Sequence, residues 1–254
     1  MLQITDHGTV RQIRLDRPPV NALSPELVSA LLSAVRKASA EAQGIVLSGS
    51  PKRFSGGLDI PHLMQLDREA IRHAWEDFFD LMEALATCSV PVAAAVTGHA
   101  PAGGTVLALF CDYRVMAEGS FRLGLNEVRV GLPLPAPIFL ALRRLVGARV
   151  AERLAVEGRL IGPEEALDFG LVDEITPLEQ VETRALEWCR NLLELPPQSM
   201  LATRRQARAD LAGIFAAREQ RRERIDALVE SWFSDECRRS MEAMLAGLAK
   251  KKGG

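Results

Sequence analysis

Two glycine-rich turns, each placed a few residues after a short apolar run, constrain the fold of this 254-residue chain more than any other feature. The first turn, residues 54–59, follows the buried-strand pattern of residues 44–48. The second, residues 101–104, follows the apolar run 90–96 and leads into a helix-favouring stretch. Because the order of strand, turn and helix occurs twice, the sequence predicts an α/β fold built from a repeated unit.

Helical patterns separate the strand-like runs and then take over the end of the chain. The predicted helices of the first part cover residues 25–41, 67–87, 137–145, 149–157 and 163–169. After Pro177 no strand-like run appears, and helical patterns fill residues 178–195 and 199–250, before an end at 250–254 that we expect to fray. We therefore predict two regions, a mixed core at 1–177 and a helical region at 178–254.

Composition and charge exclude several classes of function. A hydrophobic content of 48% with 25% charged residues is typical of a globular domain, and a net charge of −2 gives no global attraction for nucleic acid or an anionic membrane. No apolar run is long enough to span a bilayer, and the first residues do not resemble a signal peptide, so we expect a cytoplasmic protein. The four cysteines are widely spaced, which argues against a disulfide framework or a metal site.

A single carboxylate, Glu127, follows the second glycine turn in a run of apolar residues. Glycines at two separate loops allow two backbone N–H groups to approach one oxygen, since no side chain blocks them. Apolar surroundings raise the pKa of a carboxyl group, which suits a base that takes a proton and returns it. The combination predicts proton movement next to a carbonyl. Glu127 as a plain surface carboxylate and His99 as a rival base remain alternatives.

Three segments resemble the crotonase (enoyl-CoA hydratase/isomerase) superfamily, and within it the mitochondrial type of 3,2-trans-enoyl-CoA isomerase. They are residues 18–24, residues 54–59 and the stretch from Pro101 to Glu127, and their order and spacing cover nearly the whole chain. The resemblance implies a spiral of repeated strand-strand-helix turns, capped by helices that build a trimer. It also implies an acyl-CoA substrate, in which coenzyme A is part of the substrate and no separate cofactor or metal is needed.

The resemblance assigns roles to individual residues. It makes the N–H groups of Leu58 and Gly103 the oxyanion hole for the thioester, and Glu127 the catalytic acid/base. It places the acyl-CoA against two loops and the neighbour of the base. The implied substrate-binding residues are Pro19, Val20, Asn21, Ala22, Leu23, Gly56, Gly57, Asp59, Ile60, Gly104 and Asn126. The residues themselves also favour a turn or helix cap for Asp59 and a strand-end anchor for Asp112.

One position departs from the hydratase pattern of this superfamily. Three residues after Gly103, where a hydratase has a second glutamate, this chain has Val106. Adding water across a double bond needs two carboxylates to position and deprotonate the water, whereas moving a double bond needs one base. The sequence therefore predicts an enoyl-CoA isomerase. The alternatives are another reaction on an acyl-CoA, such as hydration or thioester hydrolysis, and a non-catalytic acyl-CoA-binding protein.

The helical region carries an apolar stripe that must be buried, because exposing several large apolar side chains would cost about 1.5 to 3 kcal/mol each. The stripe packs either on its own core or on a neighbour, and the resemblance favours a neighbour in a homotrimer or a dimer of trimers. The arginines of this region form either a solvated face or a contact to a ligand phosphate or another subunit. The stripe consists of Leu211, Ile214, Phe215, Ile225, Leu228, Val229, Trp232, Phe233, Met241, Met244 and Leu245.

Overall fold

The chain alternates strands and helices up to residue 176 and is helical afterwards, as the computed structural model shows for the backbone of residues 1–252 and the side chains of residues 1–247. The strands are β1 (Leu2–His7), β2 (Val10–Leu15), β3 (Gly44–Ser48), β4 (Lys52–Arg53), β5 (Val92–Val96), β6 (Gly98–Pro101), β7 (Tyr113–Ala117), β8 (Leu123–Gly124) and β9 (Glu174–Thr176). The helices are α1 (Pro25–Glu41), α2 (Ile60–Leu63), α3 (Arg68–Ala86), α4 (Gly103–Leu109), α5 (Ala136–Glu157), α6 (Pro163–Asp168), α7 (Val181–Leu193), α8 (Pro197–Ala207), α9 (Ala209–Gly213), α10 (Arg218–Trp232) and α11 (Asp235–Lys252).

The strands form two sheets, and their order shows the repeated unit that the sequence predicts. The larger has the order β1-β2-β3-β5-β7-β9, antiparallel between β1 and β2 and parallel elsewhere. The smaller has the order β4-β6-β8 and is parallel. Each of β3, β5 and β7 is thus followed by a short strand of the second sheet and then by a helix. This confirms the crotonase-like spiral of strand-strand-helix turns.

The alanine-rich strand β5 lies at the centre of the packing. All five of its residues are buried, and alternate side chains join two different apolar clusters. Val92, Ala94 and Val96 face the main core. Ala93 and Ala95 face α7 with Cys189. Because both faces of the sheet are covered, the strand has a continuous apolar sequence instead of an alternating one.

Local signals set the helix ends where the sequence places them. The Ser24 hydroxyl accepts a hydrogen bond from the Leu27 N–H, and Pro25 opens α1. Asp67 caps α3 in the same way through the Ala70 N–H. The two predicted helices at 137–145 and 149–157 meet at Gly147, whose φ of 75° is not helical. The helical patterns predicted over 199–250 are confirmed as four helices, α8 to α11, which turns separate.

The apolar stripe of the helical region packs inside its own chain. Leu211, Val229, Trp232 and Met241 are at most 1% exposed and belong to the main core cluster. Of the two alternatives for the stripe, the structure shows packing on its own core and not on the neighbour that the resemblance favoured, with α10 packed on α3. The division at 177/178 stays a prediction. Residues 253–254 of the predicted frayed end lie outside the described residues.

A buried ion cluster holds this helical region to the core. The Asp112 carboxylate accepts hydrogen bonds from Arg204 at 2.7 and 2.9 Å and lies 3.0 Å from the Arg208 guanidinium. It also accepts the Val92 N–H at 2.8 Å, which fulfils its predicted role as a strand-end anchor. Two of the arginines from the predicted charged face are thus buried partners of one aspartate. Among the described residues, no helix is both long enough and apolar enough to cross a bilayer.

Candidate active site

Backbone hydrogen bonds join the loop of residues 19–23 to the first glycine turn. The Gly56 N–H donates to the Val20 carbonyl at 2.7 Å, and the Leu23 N–H donates to the Gly57 carbonyl at 2.7 Å. The Leu23 carbonyl in turn accepts the Asp59 N–H at 3.1 Å. The structure therefore joins the two predicted acyl-CoA loops, residues 19–23 and 56–60, into one hydrogen-bonded pair of segments.

The buried Asn21 side chain holds these two segments together. Asn21 is 1% exposed with a φ of 53°, a conformation that asparagine tolerates better than most residues. Its side-chain oxygen accepts the Arg17 N–H at 2.8 Å, and its NH₂ group donates to the carbonyls of Arg53 and Phe54 at 3.1 and 3.2 Å. The oxygen and the NH₂ group of the Asn21 side chain are therefore both bonded within the loop.

Asp59 is likewise occupied by its own chain. Its carboxylate accepts the His62 N–H at the start of α2, as the predicted helix cap requires, and pairs with Arg17 at 2.7 Å. Any contact of Asp59 with a substrate would have to compete with this ion pair. Its position beside Leu58 makes it a support of the loop.

The two glycine turns approach each other so closely that only glycine fits. A Cβ atom placed on Gly57 would lie 3.0 Å from the Pro101 carbonyl oxygen and 3.4 Å from the Gly103 nitrogen, and the φ of Gly57 is +82°. A Cβ atom on Gly103 would lie 3.5 Å from the Leu58 nitrogen. Neither the Leu58 nor the Gly103 N–H donates to an acceptor among the described residues. Two free N–H groups from different loops therefore lie side by side.

A strained backbone conformation at Ala102 sets the orientation of the Gly103 N–H in the second turn. Its φ of 46° and ψ of −117° are unusual for a residue with a side chain, and the next residue opens α4. The first N–H groups of a helix have no partner within the helix and carry a partial positive charge. Gly103 therefore presents a donor where an oxyanion can be stabilised. The sequence pattern locates this glycine but gives no sign of the strain before it.

Thr105 links the second turn to the strand that carries the acidic segment. Its hydroxyl donates to the Ala100 carbonyl at 2.6 Å and accepts the Gly124 N–H at 2.7 Å, and its side chain is buried. The Ala102 N–H donates to the Gly124 carbonyl at 2.8 Å. The sequence pattern does not predict this link, because β8 is only two residues long and has no strand-like pattern.

Glu127 lies after β8, Leu125 and Asn126, and it opens a 3-10 turn over Glu127–Val130. The residue is half-buried, and its Oε2 atom is buried with no hydrogen-bond partner among the described residues. Burial raises the pKa of Glu127 from an ordinary value of 4.5 to about 7, and a hydrogen bond from its own backbone N–H opposes this only weakly. The Asn126 Oδ1 atom beside it is also buried and unpartnered among the described residues. A carboxyl poised to gain or lose a proton thus lies on the segment that pairs with the second glycine turn.

Comparison with known proteins identifies the family of this site. The model of the enoyl-CoA hydratase/isomerase family matches residues 5–251. The chain belongs to the enoyl-CoA hydratase/isomerase family. It is therefore an enzyme of the family that the sequence resembles, with the crotonase fold described above.

Similar members of the enoyl-CoA hydratase/isomerase family differ in the reaction that their names give. Mouse mitochondrial enoyl-CoA delta isomerase 1 is 32% identical over 248 residues, which is 96% of this chain and 85% of the mouse protein. The crystal structure of human mitochondrial delta3-delta2-enoyl-CoA isomerase matches with a TM-score of 0.92 at 29% identity, over 99% of both chains. A probable enoyl-CoA hydratase, echA17 of Mycolicibacterium paratuberculosis, is 31% identical over 217 residues, 82% of each protein.

The position at which the sequence departs from the hydratase pattern is apolar and buried. Val106 is 1% exposed within α4, three residues after Gly103. The valine side chain has no group that could hold or deprotonate a water molecule. Glu127 therefore lacks the second carboxylate that the hydratase pattern places there.

The rival base His99 has a structural role. It lies on β6, its ring packs edge-on against Phe121, and its Nδ1 accepts the Arg122 N–H at 3.2 Å. Partial burial, with help from Arg53 and Arg122, lowers its pKa. Within the described residues, no group of three or more His, Cys, Asp or Glu side chains is placed to hold a metal ion.

Proposed function

We propose that this enzyme is an enoyl-CoA isomerase that moves a double bond from C3 to C2 of the acyl group. The observation that carries the proposal is a half-buried Glu127 carboxyl with a pKa of about 7, in a chain that has the apolar Val106 where the hydratase pattern has a second carboxylate. One group that exchanges a proton near neutral pH suits isomerisation, whereas hydration needs a second. The likeness to the mouse and human isomerases supports the same reaction.

The reaction needs one proton shuttle and one anion site. Glu127 as carboxylate takes a proton from C2, and the electron pair moves into the thioester to form a dienolate. The dienolate oxygen accepts hydrogen bonds from the N–H groups of Leu58 and Gly103, and each donor lowers the barrier by about 3 kcal/mol. The protonated Glu127 then returns the proton at C4, which leaves the double bond at C2 and restores the carboxylate.

The coenzyme A part of the substrate lies along the joined loops in this proposal. Backbone groups of Pro19, Val20, Ala22 and Leu23 and the surface from Gly56 to Ile60 form its path. Gly104 keeps the second turn close to the first, since a Cβ atom on it would lie 2.9 Å from the Ser55 carbonyl oxygen. Asn21 and Asp59 serve the path by holding its shape, because their side chains are bonded within the protein.

Two separate spectrophotometric assays test the proposal. With 3-hexenoyl-CoA we expect rapid formation of the 2-enoyl product. With 2-hexenoyl-CoA we expect hydration to be at least about 100-fold slower, because the carboxylate that would activate water is missing. Comparable turnover numbers in the two assays would instead support a hydratase, the reaction that the name of echA17 gives. Release of free coenzyme A would support a thioester hydrolase.

We further propose that the enzyme assembles as a homotrimer or a dimer of trimers. With the helical stripe buried internally, the support comes from exposed apolar side chains close to the site. Val128, next to Glu127, is 41% exposed and lies against Gly158. Val156, two residues before Gly158, is 73% exposed. Light scattering at micromolar concentration should give a mass of about three or six subunits. A stable, fully active monomer would contradict the assembly.

A further inference from the structure

Three separate segments of the chain supply the groups of the candidate site. Leu58 lies on the first glycine turn, Gly103 opens α4, and Glu127 lies three residues after the end of β8. In the proposed reaction one substrate must meet both N–H groups and the Glu127 carboxyl at the same time. A displacement of about 1 Å at such a site can lower the rate by about 100-fold. The distance between β8 and the second turn therefore matters for catalysis.

The backbone pairing that joins β8 to the second turn is short. Strands β6 and β8 pair at two positions, Ala100↔Leu123 and Pro101↔Gly124, and Pro101 has no N–H to donate. Just beyond them, the Ala102 N–H donates to the Gly124 carbonyl at 2.8 Å. Because the ladder is so short, a side chain that bonds to it has a large share in fixing the position of β8.

The Thr105 hydroxyl bonds to both polar groups at the centre of this ladder. In this parallel register the Gly124 N–H faces the Ala100 carbonyl. The hydroxyl accepts from Gly124 at 2.7 Å and donates to Ala100 at 2.6 Å. Thr105 is buried and lies two residues after Gly103, in the first turn of α4. One side chain thus connects the helix start that carries an oxyanion donor with the strand that leads to Glu127.

The other edge of β8 is held independently of the oxyanion hole. Leu123 and Ile161 exchange two backbone hydrogen bonds at 2.9 and 3.1 Å. A Cβ atom on Gly124 would lie 2.4 Å from the Arg159 carbonyl oxygen, so the chain is closely packed on this side. Loss of the Thr105 hydroxyl therefore leaves β8 anchored in the fold, but its distance from α4 is no longer fixed by a side chain.

We infer that Thr105 is a positioning residue, whose hydroxyl sets the distance between the Gly103 donor and the Glu127 carboxyl. The inference rests on the proposed function, in which these two groups act on one substrate. The single hydroxyl hydrogen of Thr105 is bonded to Ala100, so the residue has none to donate to a substrate and acts through the backbone. Valine has nearly the same shape without the hydroxyl, whereas serine keeps it.

Isomerisation of 3-hexenoyl-CoA by Thr105→Val and Thr105→Ser tests this role. We expect kcat of Thr105→Val to fall about 100-fold while its affinity for hexanoyl-CoA stays within about threefold of wild type, since the loops at 19–23 and 56–60 are untouched. Thr105→Ser should keep kcat within about fivefold of wild type, because the bridging hydroxyl is retained.

Thr97→Val is the matched control. The Thr97 side chain is also buried, and its hydroxyl donates to the Ser50 carbonyl at 3.0 Å. It precedes β6, whereas the second glycine turn follows the end of that strand. Both valine variants should lower Tm by a few degrees through the loss of a buried hydrogen bond. Only Thr105→Val should lose activity.

Exchange of the C2 protons of hexanoyl-CoA in D₂O, followed by NMR, separates this inference from the proposed function. Glu127 removes a C2 proton, the electron pair moves into the thioester to form an enolate, and a deuteron from solvent returns to C2 through the same carboxyl. The exchange needs the base and the two N–H donors but no double bond. Thr105→Val should slow it as much as it slows isomerisation.

The inference is overturned if Thr105→Val keeps wild-type rates, or if Thr105→Ser or Thr97→Val loses as much activity as Thr105→Val. Failure of Thr105→Val to fold would give the hydroxyl a structural role and would overturn the inference as well. Wild-type exchange without isomerisation refutes only the proposed function, and the exchange rates of the variants then decide the inference. A wild-type enzyme that does neither refutes both.

Discussion

Replacing Glu127 by glutamine should lower isomerisation of 3-hexenoyl-CoA by about three orders of magnitude. The amide fills the same space but cannot carry a proton from C2 to C4. Binding of a saturated acyl-CoA should stay near the wild-type value, since the loops and the two N–H donors do not depend on this side chain. The loss should therefore fall on kcat. A variant with near wild-type turnover would remove Glu127 from the mechanism and would leave a non-catalytic role open for it.

The same substitution should stabilise the fold, which separates a chemical defect from misfolding. The pKa of Glu127 rises from 4.5 to about 7 on folding, so the folded state holds the proton more tightly than the unfolded state. Stability is therefore lost as the pH rises between these values, and above the folded pKa the cost reaches about 3 kcal/mol. Glutamine is neutral and avoids it. Thermal unfolding should give a higher Tm for the variant at about pH 8 and a much smaller difference at about pH 5.

Gly57→Ala should lower kcat by about 100-fold, because the added Cβ atom separates the two glycine turns. That atom would lie 3.0 Å from the Pro101 carbonyl oxygen and 3.2 Å from the Ala102 Cβ. Relief of these contacts moves the Leu58 and Gly103 donors apart, so a dienolate oxygen can no longer accept from both. Steady-state kinetics on 3-hexenoyl-CoA measures the effect.

Gly8→Ala is the control for backbone strain alone. Gly8 has a φ of +70°, close to the +82° of Gly57, but no atom lies within 4 Å of a Cβ placed there. Each variant should lose about 1 kcal/mol of stability from the left-handed conformation, and Gly57→Ala should lose more because of its close contacts. Only Gly57→Ala should lose activity. Equal kcat values for the two variants would mean that the close approach of the turns does not build an oxyanion hole.

Features with a local cause could be predicted from the sequence. Ser24 with Pro25, and Asp67, mark helix starts through bonds to residues three positions away. The glycine turns follow apolar runs, whereas Leu58 and Gly103 are identified as the two N–H donors only by the family resemblance. The family resemblance supplied the assignment of Glu127, whereas the apolar residues around it already predicted the raised pKa that the structure gives.

Features that depend on distant contacts could not be predicted. The apolar stripe of the helical region gives the same pattern whether it covers its own core or another subunit, and the structure shows its own core. The link through Thr105 to Gly124 spans 19 residues and ends on a strand of two residues. Asn21 appears in sequence as one residue of a loop, and only the folded chain shows its bonds to Arg53 and Phe54.

The pH dependence of kcat/KM for 3-hexenoyl-CoA isomerisation tests the central claim most directly, that one half-buried carboxyl moves the proton. We expect activity to rise with pH along a single ionisation centred on about 7 and to level off above it, since kcat/KM reports the free enzyme. Binding of a saturated acyl-CoA over the same range corrects for titration of the substrate phosphate, whose pKa lies near 6. A midpoint near the ordinary glutamate value, or a profile with no ionisation between about pH 5 and about pH 9, would contradict the account.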